Sequence, residues 1–334
     1  MILAYKRDKI VGKEAIIIEK SNHPSILETN IIFMLVAFLL VTIGAIAQAT
    51  ELYSGLLITE YLIIMLPTVA YLKLRGYSIK SSLKFNPIGF REIILSILII
   101  VCSYPVAVFF NYIGFIILDY IAEIKPSPIP IPSTYSEFVI GFLIIALSPG
   151  ICEEIMFRGL VLNAYKSIGK KKAIIYSGIL FGLFHFNLQN LLGPIYLGII
   201  LGIIYLKTDS LYSTIIGHTA NNTIALALGT YFNIFGEKYN LNIEEVNMVE
   251  TEELLLSLLS LGIMALIFGF LSYKLLKLLG RDNNIGSREI DNFLPKEQLI
   301  IELNQKSSLN IYEILPILVV LIFFIILNYL YFFL

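Results

Sequence analysis

The chain has 334 residues, of which 57% are hydrophobic and 15% charged, with a formal net charge of −1. Soluble domains carry roughly a quarter charged residues, so this composition excludes an ordinary soluble fold and points to membrane spans. The near-neutral balance argues against nucleic acid as a partner. Two cysteines in apolar runs, Cys102 and Cys152, form no disulfide framework and no C-x-x-C metal knuckle.

Residues 1–30 carry Lys6, Arg7, Lys9, Lys13 and Lys20, and no apolar run among them is long enough for a signal-peptide core. They are expected to form a cytoplasmic segment. Apolar runs then predict membrane helices at about 31–49, 53–72, 93–118, 138–163, 173–187, 191–206, 211–231, 254–273 and 314–334. The fold class expected is therefore all-α, a polytopic membrane bundle of about nine transmembrane helices. Some 20 residues cross the hydrocarbon core, so 173–187 and 191–206 are short and need burial within the bundle. The brief connections after each of these two imply antiparallel neighbours.

Basic residues test the count through the positive-inside rule. With the N-terminus in the cytoplasm, 21 of the 24 Lys and Arg residues fall on the inner side. Only Lys125 and Lys238 fall outside, and Arg158 is intramembrane. The C-terminus is then outside, in what is expected to be the cell membrane. The connections have some character of their own. Pro126, Pro128, Pro130 and Pro132 predict an extended loop. Residues 237–253 are acidic, and a short amphipathic helix is expected near Lys296–Asn304. Tyr205, Tyr212 and Tyr331, near span ends, read as interface anchors.

The chemistry concentrates in Ser148-Pro149-Gly150-Ile151-Cys152-Glu153-Glu154-Ile155-Met156-Phe157-Arg158. A charge near the bilayer centre costs at least ~2.5–3.5 kcal/mol, so two carboxylates and a guanidinium there need partners. Tyrosine and cysteine aside, the ionisable residues in the spans are Glu60, Glu153, Glu154, Arg158, His185 and His218. Glu154 and Arg158 stand at i, i+4 with the acid first, the favourable orientation for a same-face pair. Glu153 is turned ~100° away and left to face something else. His185 shares a face with Phe181, and His218 with Asn222. At ~1.5 Å per residue, Glu153, His185 and His218 lie roughly 15, 18 and 10 Å from the cytoplasmic ends of their spans, consistent with one cluster. Pro149 is expected to kink or restart its helix, and after a restart Ser148 would serve as N-cap. Glu60 reads as a structural or channel-lining carboxylate rather than a catalytic one. Gly178 with Gly182, and Gly198 with Gly202, read as close helix packing.

The set Glu153-Glu154-x-x-x-Arg158, Phe181-x-x-x-His185 and His218-x-x-x-Asn222, in that order and each in an apolar helix, resembles the motifs of the CPBP family. That family comprises the CAAX prenyl-protein endoproteases and the bacteriocin-processing or immunity proteins. The resemblance spans residues 138–231, four helices that would form the catalytic core. Residues 31–137 would then be accessory transmembrane helices, and 232–334 C-terminal helices with a cytoplasmic loop. It implies an intramembrane endopeptidase acting on a membrane-associated peptide or protein in the lipid bilayer. In it Glu153 would activate a water with His185 as its partner. His218 and Asn222 would stabilise the oxyanion, and Glu154 and Arg158 would support the site. No cofactor is required in this reading. In the zinc-dependent version known for the family, Glu153, His185 and His218 would be the ligands, although no H-E-x-x-H helix is present. The short interval between the two histidines is closer to the broad prokaryotic branch than to the eukaryotic prenyl-protein proteases. Two other classes compete: an ion- or proton-coupled transporter, and a catalytically silent immunity-type membrane protein.

Overall fold

Within a bilayer every backbone polar group must be satisfied internally, and apolar runs of this length do so as helices. The computed structural model describes residues 24–125, 129–239, 251–279 and 308–333, and all its regular elements are helical. In chain order the long segments are α1 (Ile26–Thr50), α2 (Leu52–Leu74), α3 (Phe90–Asp119), α4 (Tyr135–Ile168) and α5 (Lys170–Phe184). They continue with α6 (Leu192–Thr208), α7 (Leu211–Tyr239), α8 (Thr251–Leu278) and α9 (Ile311–Phe333). Each coincides with one expected span. The basic N-terminal residues, most of the acidic 237–253 stretch and the expected helix near 296–304 lie outside the described residues.

Among the described residues, six of these helices are long and apolar enough to cross a membrane: α1, α2, α3, α4, α8 and α9. The expected count of nine crossings is thus met by only six on length and apolarity. The physical reason is local. α5 and α6 are 15 and 17 residues long, and the 29-residue α7 is diluted by polar residues around His218-Thr219-Ala220-Asn221-Asn222. Outward faces of α1 and α8 bear apolar side chains such as Ile46, Leu256 and Leu266, each about 70% exposed or more. Such a surface suits lipid.

The helices alternate in direction, and hydrogen bonds at the two ends of the bundle show it. At one end Arg75 pairs with Glu28 and Lys84 with Asp209, Arg91 Nη2 donates to the Leu278 carbonyl, and Asn30 Nδ2 donates to the Glu313 carbonyl. At the other end Asn111 bonds to Asn190, the Leu188 amide donates to Asn328 Oδ1, and Asn233 Nδ2 donates to Ser133 Oγ. Tyr205 departs from expectation. It is fully buried, and its hydroxyl accepts from Asn163 Nδ2 at 2.9 Å, so it ties α6 to α4 rather than anchoring at an interface. Tyr212 and Tyr331 are exposed, as anchors should be.

The centre of the bundle is α4, in which every residue from Cys152 to Tyr165 is buried. Pro149 does not restart it. Ser148 has helical dihedrals, φ −60° and ψ −51°, and its Oγ donates backwards to the Leu143 carbonyl at 2.9 Å instead of capping the glutamate segment. Residues Phe142–Leu147 just before the proline adopt the wider π-helical turn, which gives the ring room without a break. A second π-helical stretch, Ile155–Leu162, follows. Two close approaches set the neighbours around α4. A Cβ on Gly150 would stand 3.1 Å from the Thr219 amide nitrogen and 3.3 Å from the Ile215 carbonyl, so its absence lets α7 close against α4. A Cβ on Gly198 would stand 2.8 Å from the Gly178 Cα, so α6 meets α5 glycine to glycine, as the small-residue spacing predicts.

Candidate active site

A guanidinium sealed from water needs acceptors for its rigid fork of donors. Arg158 finds two on different helices. Its Nη1 donates to Glu154 Oε1 at 2.6 Å, and its Nη2 donates to the Gly198 carbonyl on α6 at 3.0 Å. The guanidinium carbon also lies 4.9 Å from the centre of the Phe181 ring on α5, a cation–π contact. Arg158 and Glu154 are both fully buried, and the i, i+4 spacing delivers the expected pair.

Glu154 Oε1 also holds His218. His218 Nδ1 lies 3.0 Å from it, across the α4–α7 approach that Gly150 permits. An ionised carboxylate paired with Arg158 only accepts, so the shared proton sits on Nδ1. His218 Nε2 then faces the neighbouring carboxylate, 4.0 Å from Glu153 Oε2.

Glu153 occupies the face that Glu154 does not. It is buried, and its Oε2 has no hydrogen-bond partner. The π-helical part of α2, Ile58–Met65, packs against this part of α4, and Tyr61 Oη lies 3.4 Å from Ser148 Oγ. From the same stretch comes Glu60, 5% exposed, within electrostatic reach of Glu153 and likewise with an unpartnered Oε2. Cys152, next to Glu153 in the chain, is fully buried and fills the small-hydrophobe role expected of it.

His185 and Asn222 stand at the margin of this centre. His185 terminates α5 as its C-cap, is exposed, and has Nδ1 2.8 Å from the Phe181 carbonyl. A carbonyl only accepts, so Nδ1 donates in this bond and Nε2 is left out of it. Its ring centre is 5.0 Å from that of Phe181, which is in turn 5.5 Å from that of His218. Phe181 is therefore the shared neighbour of Arg158, His185 and His218. Asn222 Nδ2 donates to the Ile145 carbonyl at 3.3 Å, and Asn222 Oδ1 accepts from Asn221. Ile145 lies in the π-helical stretch just before Pro149.

Glu153, Glu154, Arg158 and His218 are thus brought into one contiguous group. His185 reaches it only through Phe181, and Asn222 through the α4 backbone. Sequence reading did not find the Gly198 and Ile145 carbonyls. A glycine carbonyl carries no side-chain signal, and the Ile145 carbonyl lies in a π-helical turn that residue spacing does not announce. Among the described residues, no three His, Cys, Asp or Glu side chains are placed to hold a metal ion. The Glu153, His185 and His218 set is not gathered as arranged, because His185 stands at the end of α5 and reaches the group only through Phe181; the Nδ1 bonds of the two histidines would themselves suit ligation through Nε2.

Fold and site together define a polytopic helical membrane protein with a buried glutamate–arginine–histidine centre. Residues 135–224 match a family model described as type II CAAX prenyl endopeptidase Rce1-like. All six motif residues lie inside that match, so the resemblance to the CPBP and CAAX protease family holds over this segment. None of the curated proteins and none of the solved structures compared with the chain matches it.

Proposed function

We propose that this protein is an intramembrane endopeptidase that cleaves a membrane-associated protein or peptide with a water activated by Glu153. The observation that carries the reading is the division of labour between adjacent carboxylates. Glu154 holds Arg158 and His218 through Oε1, its Oε2 being buried without a partner, while Glu153 is in neither of these bonds and has Oε2 4.0 Å from the same imidazole. A general base needs such a free acceptor in a dry site, and two carboxylates in different surroundings take different roles. Glu153 removes the proton from the attacking water, and His185 Nε2, on the open side, assists. His218, held by Glu154 through Nδ1, stabilises the developing oxyanion. Asn222 contributes its second amide hydrogen, the first being held by the Ile145 carbonyl. No step uses a metal. The substrate class follows the matched family: a carboxy-terminal peptide of a lipid-anchored protein, in CAAX-type processing. Cell membranes with and without the gene should differ in new protein termini mapped by mass spectrometry. Identical termini in the two would count against proteolysis.

The N-terminus is proposed to lie in the cytoplasm, with the C-terminus outside. Support comes from the 21-to-2 partition of basic residues and from the hydrogen bonds that group Glu28, Arg75, Lys84 and Asp209 at one end of the bundle. Cysteines introduced at Lys80 or Lys171 should resist an impermeant thiol reagent in intact cells, and those at Glu51 or Asn190 should be labelled. Labelling at Lys171 would reverse the assignment around the site.

A further inference from the structure

Just past the end of α5, the residue after His185 carries a backbone that L side chains rarely adopt. Phe186 has φ +47°, in the left-handed region. The position beyond a helix C-terminus that takes this shape usually belongs to glycine, and a bulky residue stays there only when its surroundings hold it. Part of the hold is local: the His185 amide donates to the Gly182 carbonyl at 3.3 Å and the Phe186 amide to the Leu183 carbonyl at 3.2 Å. The rest comes from one side chain on α9, Asn328, which is 5% exposed. Asn328 Nδ2 donates to the Phe186 carbonyl at 3.3 Å, and Asn328 Oδ1 accepts from the Leu188 amide at 2.7 Å. Nδ2 also donates to the Phe324 carbonyl, one turn back on α9, at 2.8 Å. A carbonyl only accepts and a backbone amide only donates, so these partners fix which way the side-chain amide points. The Phe186 ring, 6.3 Å from that of Phe324 centre to centre, is seated in an apolar groove with Phe38 of α1 and Phe323 of α9.

The farther half of the α5–α6 connection is fastened from other elements. Gln189 exchanges two bonds with the Lys125 backbone, at 3.3 and 3.2 Å, and the Gly193 amide donates to Asn111 Oδ1 on α3 at 2.6 Å. Asn328 therefore holds the residues beside His185, and it does so from α9, outside the segment that matches the family. We propose that Asn328 is a positioning residue for His185. By keeping Phe186 left-handed it fixes where α5 ends, and so where the imidazole stands. The Nδ1 bond to the Phe181 carbonyl spans the last turn of α5, so a frayed turn would release the ring from Phe181. Resting on the peptidase reading, this gives α9 a part in catalysis through His185. The clamp itself is a matter of backbone order and is read without turnover.

Asn328→Leu keeps a side chain of similar size that suits a membrane helix and removes all three bonds. Hydrogen exchange of purified full-length protein in detergent, resolved to single amides by mass spectrometry, reads the result. In Asn328→Leu the amides of His185, Phe186 and Leu188 should exchange about tenfold faster or more, with those from Ala173 to Phe181 within about twofold of wild type. Glycine takes a positive φ without strain, so adding Phe186→Gly should bring His185 and Phe186 back to within about twofold of wild type. Leu188, still lacking its acceptor, should stay fast. A packing defect would not be repaired by removing a phenyl ring. Equal exchange in wild type and Asn328→Leu, or a double variant as fast as Asn328→Leu at His185 and Phe186, would overturn the proposal. On a cleavable membrane peptide, Asn328→Leu should lower kcat about tenfold with KM within about twofold, and the double variant should regain most of that kcat. An unchanged kcat beside fast exchange would overturn the positioning role. A wild type that cleaves nothing would end the peptidase reading, and the exchange comparison would still decide the clamp.

Discussion

Arg158→Ala is expected to cost the fold about 3–5 kcal/mol, the usual consequence of removing one partner from a buried ion pair. The change does more than delete a charge. It leaves Glu154 buried with only His218 as a donor, strips the Gly198 carbonyl of its bond to Nη2, and removes the cation from the Phe181 face. Three helices, α4, α5 and α6, lose a common tie. Since domains have a net stability of about 5–15 kcal/mol, the variant should accumulate poorly in membranes and melt well below wild type in detergent. The double variant with Glu154→Gln removes the stranded charge and should recover part of the loss. Normal accumulation and an unchanged melting temperature for Arg158→Ala would show that the pair is not what holds these helices.

Much of this site is legible in the sequence, because a membrane magnifies the meaning of each polar residue. Charges in apolar runs stand out, and helical spacing alone pairs Glu154 with Arg158 and turns Glu153 away. The helix positions follow from apolar runs for the same reason, and the glycine pairs announce the α5–α6 contact. The rest depends on three-dimensional facts that spacing does not contain. Pro149 looks like a helix break, yet a π-helical turn absorbs it, and Ser148 bonds backwards instead of capping. Tyr205 looks like an interface anchor by its place near a span end, but it is buried against Asn163. Depth puts His185 level with Glu153 but does not show that it closes α5 and touches the group through Phe181. Glu60 is visible as an intramembrane acid, but its neighbour on another helix is not. Depth along a span gives a level in the membrane without giving an azimuth.

The base assignment can be tested on its own. Glu153→Gln keeps the size and hydrogen-bonding capacity of the side chain and removes its basicity, so folding and peptide binding should survive. General-base catalysis contributes ~10²–10⁴ in rate, and the loss should be of that order. Glu154, held through Oε1 by Arg158 and His218 and turned to another face of α4, is not expected to substitute. The decisive measurement is cleavage of a membrane peptide recovered by terminus mapping, using purified wild type and purified Glu153→Gln in detergent, with zinc content determined by elemental analysis. The expected result is turnover reduced at least a hundredfold in Glu153→Gln, unchanged melting temperature, and the same zinc content in both proteins. Undiminished cleavage by Glu153→Gln, or stoichiometric zinc in wild type that disappears with the substitution, would contradict the assignment of Glu153 as a metal-free general base.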